Sequence, residues 1–333
     1  MRIVIVSDAW FPQVNGVVRT LGTLKQGLET LGHDVVVIHP GQFRTIPCPT
    51  YPEIRLALFS RAPMARRLAD AAPDAIHIAT EGPLGNAARD YCVSHGLGFT
   101  TAYHTRFPEY VHARWCVPLN WTYASLRRFH APSGAVMVPT ASVRTALEER
   151  GFQNIRHWTR GVDTVMFRPR KKGFLDWPRP ILLYVGRVAV EKNIDAFLAL
   201  DLPGSKVVVG DGPQLASLQR RFPVVQFVGA KHGKELARYY AAADVFVFPS
   251  RTDTFGLVVL EALASGVPVA AYPVPGPLDI IGGTEAGALD ENLGRAVSRA
   301  LELPAAECRA LAMTYAWEVS VQQFLSHLRP QCA

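Results

Sequence analysis

Four apolar residues, Val245–Phe248 (VFVF), stop abruptly at Pro249. A run that short, apolar on both faces and bounded by proline, predicts a buried strand of a parallel sheet. The stretch that follows, Ser250–Pro268 (SRTDTFGLVVLEALASGVP), passes through Gly256 into a helical segment with Leu257, Val258, Leu260, Leu263 and Ala264 on its apolar side. Strand, glycine turn and helix start leave backbone N–H groups without intrahelical partners, and the helix dipole adds to them. Such a turn suits an anion or a sugar hydroxyl. Asp253 and Glu261 flank it. Were the span between them helical, its rise would separate the two carboxylates by about 12 Å. That is comparable to the separation of sugar and ribose in a nucleotide-sugar, and a carboxylate can accept both hydroxyls of a diol. Each residue taken alone also reads as something plainer: Asp253 as a cap, Glu261 as a solvent-facing helix residue.

The same unit recurs along the chain. Ile3–Val6 reads as a strand, Asp8 and Asn15-Gly16 follow it, Val17–Leu31 has helical spacing, and Val35–Ile38 closes a β-loop-α-β unit. Gly16 permits a close backbone approach, but one glycine does not make the dinucleotide fingerprint G-x-G-x-x-G. Further strands are expected at Ala75–Ala79, before the turn Thr80–Gly85, at Phe99–Tyr103 and at Val136–Pro139, after which come a helix over Ser142–Arg150 and then Ile155–Trp158. His104 sits at the carboxyl end of a strand, where doubly wound sheets carry their functional side chains, though a lone histidine is more often structural. After the basic, proline-containing run Arg168–Pro180 the pattern restarts. Strands are expected at Ile181–Val185, Lys206–Val209, Gln226–Val228, Val245–Phe248 and Val267–Tyr272, and a last helix near 316–328. The expected class is α/β, with two Rossmann-like domains facing a cleft.

A chain of 333 residues has the length for two cores. Its net charge of +7 is uneven: residues 1–165 carry 17 Lys and Arg against 12 Asp and Glu, the remainder 18 against 16. A basic first half suits an anionic ligand or an anionic membrane surface. It lacks the Lys/Arg runs of a nucleic-acid arm, so no nucleic-acid partner is expected. The five cysteines are scattered, with no C-x-x-C and no histidine at zinc spacing, which reads as reduced thiols in a cytosolic protein. Arg2 precedes only four apolar residues, too few for a secretory signal, and no run approaches a membrane span. The expected location is cytoplasmic, peripheral on the inner face of the membrane.

Arg187 and Lys192 follow a strand, five residues apart. A guanidinium fork and an ammonium at that place suit a diphosphate, or else form a surface cluster with Glu191. No Asp-x-Asp or His/carboxylate cluster offers a metal site, so no metal or other cofactor is expected. P-loop and G-x-S-x-G signatures are absent, against phosphoryl transfer and serine hydrolysis. Between Phe107 and Ser133, aromatic and basic residues interleave, among them Trp115, Trp121, Arg127 and Arg128, just after Arg106. This stretch fits a membrane interface or an acceptor groove, and equally an ordinary helix pair broken at Pro118.

Taken together, Gly186-Arg187…Glu191-Lys192-Asn193, Gly210-Asp211-Gly212-Pro213 and Asp253…Glu261 resemble the retaining GT-B glycosyltransferases of family 4. Arg160-Gly161-Val162-Asp163…Phe167-Arg168-Pro169, Asn15-Gly16 and His104-Thr105 are similar to that family too, in its order and spacing. The resemblance implies an acceptor-binding domain over 1–167, a linker over 168–180 and a nucleotide-sugar domain over 181–314. A helix over 315–333 would pack back on the first domain. It implies that Glu261 holds the donor ribose, and that Asp253 with the amides of Phe255, Gly256 and Leu257 holds the transferred sugar. Arg187 and Lys192 would bind the diphosphate and stabilise the charge that develops as it leaves. Gly16 would approach the phosphate and His104 the sugar. The family's chemistry is metal-independent, with retention, a leaving-group phosphate oxygen taking the acceptor's proton. Asp253 stands where the family usually has Glu, one methylene longer, which bears on the sugar accepted more than on activity.

Within the family, the first loop, the Gly82-Pro83-Leu84-Gly85 turn and Tyr103-His104-Thr105 look most like lipid-acting members. The resemblance therefore implies transfer of a hexose, UDP-glucose-type donors first, to a membrane lipid such as diacylglycerol. Arg106, Trp115, Trp121, Arg127 and Arg128 are the candidates for contact with acceptor and membrane. A GDP-mannose-dependent α-mannosyltransferase is the alternative within the family, and a nucleotide-sugar hydrolase or epimerase of the same fold the alternative outside it. The distinguishing base pocket lies beyond these motifs.

Overall fold

Apolar runs become strands here because both faces of each sheet are covered. In β1 (Arg2–Val6) the residues Ile3, Val4, Ile5 and Val6 are all fully buried. Alternation sends Ile3 and Ile5 into one layer and Val4 and Val6 into the other. The computed structural model describes the chain except for positions 14, 49–50, 106, 253–254 and 332–333, and except for the side chains at 51–53, 110 and 113–115. The chain divides into two compact units, 1–160 with 317–333, and 161–316.

The first unit is built on β1, β2 (Asp34–Ile38), a hairpin of β3 (Thr45–Cys48) and β4 (Tyr51–Ala57), then β5 (Ala75–Ile78), β6 (Thr100–Ala102), β7 (Ala135–Val138) and β8 (Ile155–His157). Its six-stranded sheet is parallel, in the order β2-β1-β5-β6-β7-β8. The helix Gly16–Thr30 joins β1 to β2 and buries Val18, Leu21, Leu24 and Leu28, a three-and-four spacing that makes one apolar stripe. The carboxyl-terminal helix Trp317–His327 belongs to this unit and adds Val321 and Phe324 to the same layer.

The second unit holds β9 (Ile181–Val185), β10 (Ser205–Val209), β11 (Gln226–Phe227), β12 (Val245–Phe248), β13 (Val269–Ala271) and β14 (Gly287–Leu289). All are parallel, in the order β11-β10-β9-β12-β13-β14. The strand order reverses between β9 and β12, which opens a crevice at their carboxyl ends.

Two sequence readings change. Residues 161–180 belong to the second unit, where a domain edge at 167 and a linker over 168–180 were expected. The Arg309 guanidinium donates to the carbonyls of Thr164, Phe167 and Ala264 at 2.7–2.8 Å, fixing this segment to the helix Leu257–Ala264. Lys172 and Arg179 both bind Asp244, so the polar run is bound through its own charges. The hairpin β3–β4 and the strand β14 add to the expected elements. The aromatic stretch after residue 106 forms two helices, Phe107–Trp115 and Leu119–His130, parted at Pro118.

Candidate active site

In the second unit the candidate residues gather at the β9/β12 reversal. Beyond β9, Gly186 leads to Arg187, whose carbonyl accepts from the Tyr184 hydroxyl at 2.8 Å. The loop after β10 lies against this one: Val188 N–H donates to the Asp211 carbonyl at 2.8 Å, and Gln214 N–H to Val188 at 3.0 Å. Gly210 is required there, since a Cβ would stand 1.8 Å from the Gly186 carbonyl oxygen. Lys192 ends a short 3₁₀ turn, and the Asn193 amide donates to the Pro249 carbonyl at 3.1 Å. That bond ties the end of β9 to the end of β12. The Arg187 side chain is exposed and that of Lys192 half-buried.

Beyond β12, Phe255 is buried and meets Tyr315 edge-on at 6.2 Å. Gly256, at φ +86°, turns the chain into the helix Leu257–Ala264, whose first residue, Leu257, is half-buried. The helix is covered all round from Val259 onward, so Glu261 is only 2% exposed instead of facing solvent. Its Oε2 accepts from the Tyr240 hydroxyl at 2.8 Å. Asp253, the partner carboxylate expected for the transferred sugar, lies outside the described residues.

In the first unit the corresponding reversal, between β1 and β5, is filled from within. Asp8 accepts from Leu84 N–H at 2.9 Å, Gly85 N–H at 3.3 Å and the Thr80 hydroxyl at 2.8 Å. A carboxylate thus satisfies the start of the helix Pro83–Ser94. Burial pushes the Asp8 carboxyl above its ordinary range against those bonds, with Glu81 adding to the upward shift. Gly16 is the exposed first residue of the next helix start, which Asn15 caps by accepting from Val18 N–H at 3.0 Å.

His104 follows β6, half-buried, its Nδ1 3.1 Å from Nη2 of Arg160. Arg160 is 3% exposed and lies over the Trp158 ring at 4.3 Å. Trp158 is held by the carboxyl-terminal helix through Ser320, whose carbonyl and hydroxyl oxygens accept from its indole N–H at 3.1 Å. Burial, then Arg160 and His77, hold the His104 pKa well below the ordinary range. Arg160 and Trp158 contact His104 and Tyr240 contacts Glu261, and the sequence reading gave none of the three a role. The visible signal for Arg160 was its place directly before Gly161-Val162-Asp163.

The acceptor candidates fare differently. Arg106 and the Trp115 side chain lie outside the described residues. Trp121 is 73% exposed, on the outer face of the helix Leu119–His130, which also carries exposed Arg128. Arg127 is exposed as well, but its guanidinium donates to the Arg150 carbonyl at 2.8 Å. Among the described residues no helix is long and apolar enough to cross a membrane.

In doubly wound sheets a strand reversal of this kind is where ligands bind, and here the candidate residues stand on its loops. Residues 14–165 match Glycosyltransferase Family 4, and residues 179–302 match Glycosyl transferases group 1. The chain is 32% identical over 308 residues to a GDP-mannose-dependent alpha-mannosyltransferase of Mycobacterium tuberculosis, covering 84% of this chain and 81% of that one. It is 30% identical over 346 residues to an alpha-monoglucosyldiacylglycerol synthase of Streptococcus pneumoniae, covering 90% and 78%. The solved structure of sucrose-phosphate synthase from Thermosynechococcus elongatus superposes with a TM-score of 0.78 at 21% identity, over 98% and 97% of the two chains. The chain belongs to family 4 of the glycosyltransferases and has the GT-B fold.

Proposed function

We propose that this glycosyltransferase moves a hexose from a nucleotide-diphosphate sugar to a membrane lipid, with retention and without a metal. The observation that carries the donor side is the β9/β12 reversal. Arg187 and Lys192 stand on loops fixed by the Asn193–Pro249 bond, beside the start of a helix whose Glu261 is oriented by Tyr240. Two cations and free helix amides are what a departing diphosphate requires, since negative charge grows there as the sugar leaves. In this reading Glu261 holds the ribose, Asp253 with Phe255, Gly256 and Leu257 the sugar, and Gly16 and His104 are also assigned to substrate.

The lipid acceptor and the inner-face location rest on similarity to enzymes named for lipid substrates, and on exposed Trp121 and Arg128 as a surface for anionic headgroups. For the donor, UDP-glucose follows from the glucosyldiacylglycerol synthase likeness and GDP-mannose from the mannosyltransferase likeness. The deciding experiment measures nucleoside diphosphate released from UDP-glucose, UDP-glucuronic acid, UDP-galactose and GDP-mannose, with and without diacylglycerol-containing liposomes and with a chelator. Release with one donor, dependent on lipid and indifferent to chelator, is expected. Release without any acceptor would replace this reading by a hydrolase or epimerase.

A further inference from the structure

We infer that Arg160 is a positioning residue that holds His104 as a neutral ring with its proton on Nε2, so that His104 serves as a hydrogen-bond donor to a substrate oxygen and not as a base. The inference rests on the reading above that His104 meets substrate. Nη2 of Arg160 lies 3.1 Å from His104 Nδ1. A guanidinium has donors and no acceptor, so Nδ1 must be the accepting nitrogen and bears no hydrogen. An imidazolium would need a hydrogen on both nitrogens. The ring is therefore neutral, and its single N–H is at Nε2.

Arg160 is built to stay in place. Its Nη1 donates to the Trp158 carbonyl at 3.2 Å, its guanidinium stacks on the Trp158 indole, and Ser320 fixes that indole from behind. The same indole meets His104 edge-on at 5.7 Å and His77 at 5.9 Å. The charged and titratable groups facing His104 are Arg160 and His77, and both oppose a second proton on the ring. Burial and Arg160 lower His77 to about 3, so it is neutral, and burial lowers Arg160 only to about 9, so it keeps its charge at neutral pH. A nitrogen that already carries its proton cannot take another from an acceptor hydroxyl. It can donate to a sugar hydroxyl or a phosphate oxygen, and the acceptor's proton must go elsewhere.

The test is a long-range proton–nitrogen correlation spectrum of the full chain labelled at histidine nitrogen, with the His104 signals assigned by their loss in His104→Gln. The expected pattern is the Nε2–H tautomer, unchanged between about pH 6 and pH 8. In Arg160→Met the pattern should become a mixture of the two neutral tautomers, since burial still opposes a second proton. An Nδ1–H ring or an imidazolium in the wild type overturns the inference. The spectrum requires no turnover, so it stands or falls separately from the proposed activity.

Kinetics supply the second arm. Gln places an amide N–H near the Nε2 position and Asn places one near Nδ1. His104→Gln should therefore retain kcat within about tenfold, and His104→Asn should lose about a further tenfold. Asn equal to or better than Gln overturns the donor role. Arg160→Met should lower kcat about 10- to 100-fold with little change in donor KM, and Arg160→Lys should recover part of it. A rise in KM alone would overturn the assignment. Should Arg160→Met fail to fold, the wild-type spectrum and the Gln/Asn comparison decide.

Discussion

The Tyr240 hydroxyl donates to Glu261 Oε2 at 2.8 Å, and both side chains are buried. Tyr240 is itself fixed edge-on against Phe167 at 5.6 Å. A buried carboxylate positioned by a buried phenol is already oriented before a diol arrives. Tyr240→Phe should destabilise the protein by about 1–3 kcal/mol, since a buried oxygen loses a hydrogen-bond donor. It should also raise the donor KM more than it lowers kcat, because binding of the ribose is common to ground and transition states. Urea denaturation with steady-state kinetics measures both. An unchanged KM in a destabilised variant would make the pair purely structural.

The contact between the two glycine loops makes a sharper stability prediction. Gly210→Ala would drive a methyl into the Gly186 carbonyl and place a side chain at φ +152°. The strain should cost about 1–3 kcal/mol, and relief would shift Gly186 and with it Arg187. Thermal unfolding should show the loss, and inhibition by free nucleoside diphosphate should weaken in parallel. Retained nucleotide affinity in a destabilised protein would separate the loop contact from the cation it carries.

Much of this was legible because strand runs such as Ile3–Val6 and Val245–Phe248 are buried on both faces and therefore apolar throughout. The turn at Gly256 was legible because a left-handed residue there has few other choices. Glu261 misled in its plainer reading because a helix covered on all sides shows no polar face against which a buried carboxylate stands out. Arg160 went unassigned for the opposite reason: arginine is almost never fully buried, and nothing local announces that Trp158 and a helix 160 residues away will enclose it. The hairpin β3–β4 carries Pro47 and Pro52, and proline within a run argues against a strand.

Asp8 gives the chain a pH signature. Its folded pKa is raised above 3.8, chiefly by burial, so the folded state favours the protonated acid relative to the unfolded chain. Its contribution to stability is fully present below pH 3.8 and is lost as pH rises through the raised folded value. Asp8→Asn cannot titrate. The stability of wild type minus that of Asp8→Asn should accordingly fall as pH rises across that window and then level off. Urea midpoints of both proteins from mildly acidic to neutral pH report this directly. A difference that grows with pH would mean that the helix amides outweigh burial and hold the carboxylate charged.

Trp121 and Arg128 share the outer face of one helix, whereas Arg127, also exposed, is engaged by the Arg150 carbonyl. The two arginines should therefore respond differently. Arg128→Ser should weaken binding to vesicles containing anionic phospholipid by about fivefold, and Trp121→Ser should add to that loss by removing an interfacial aromatic anchor. Added salt should erase the Arg128 contribution and leave that of Trp121. Arg127→Ser should instead lower the unfolding midpoint with a smaller change in vesicle binding, because its main partner is a backbone carbonyl of its own unit. Cosedimentation beside thermal unfolding distinguishes the three variants. Binding insensitive to both Arg128 and Trp121 would move the membrane contact off this helix.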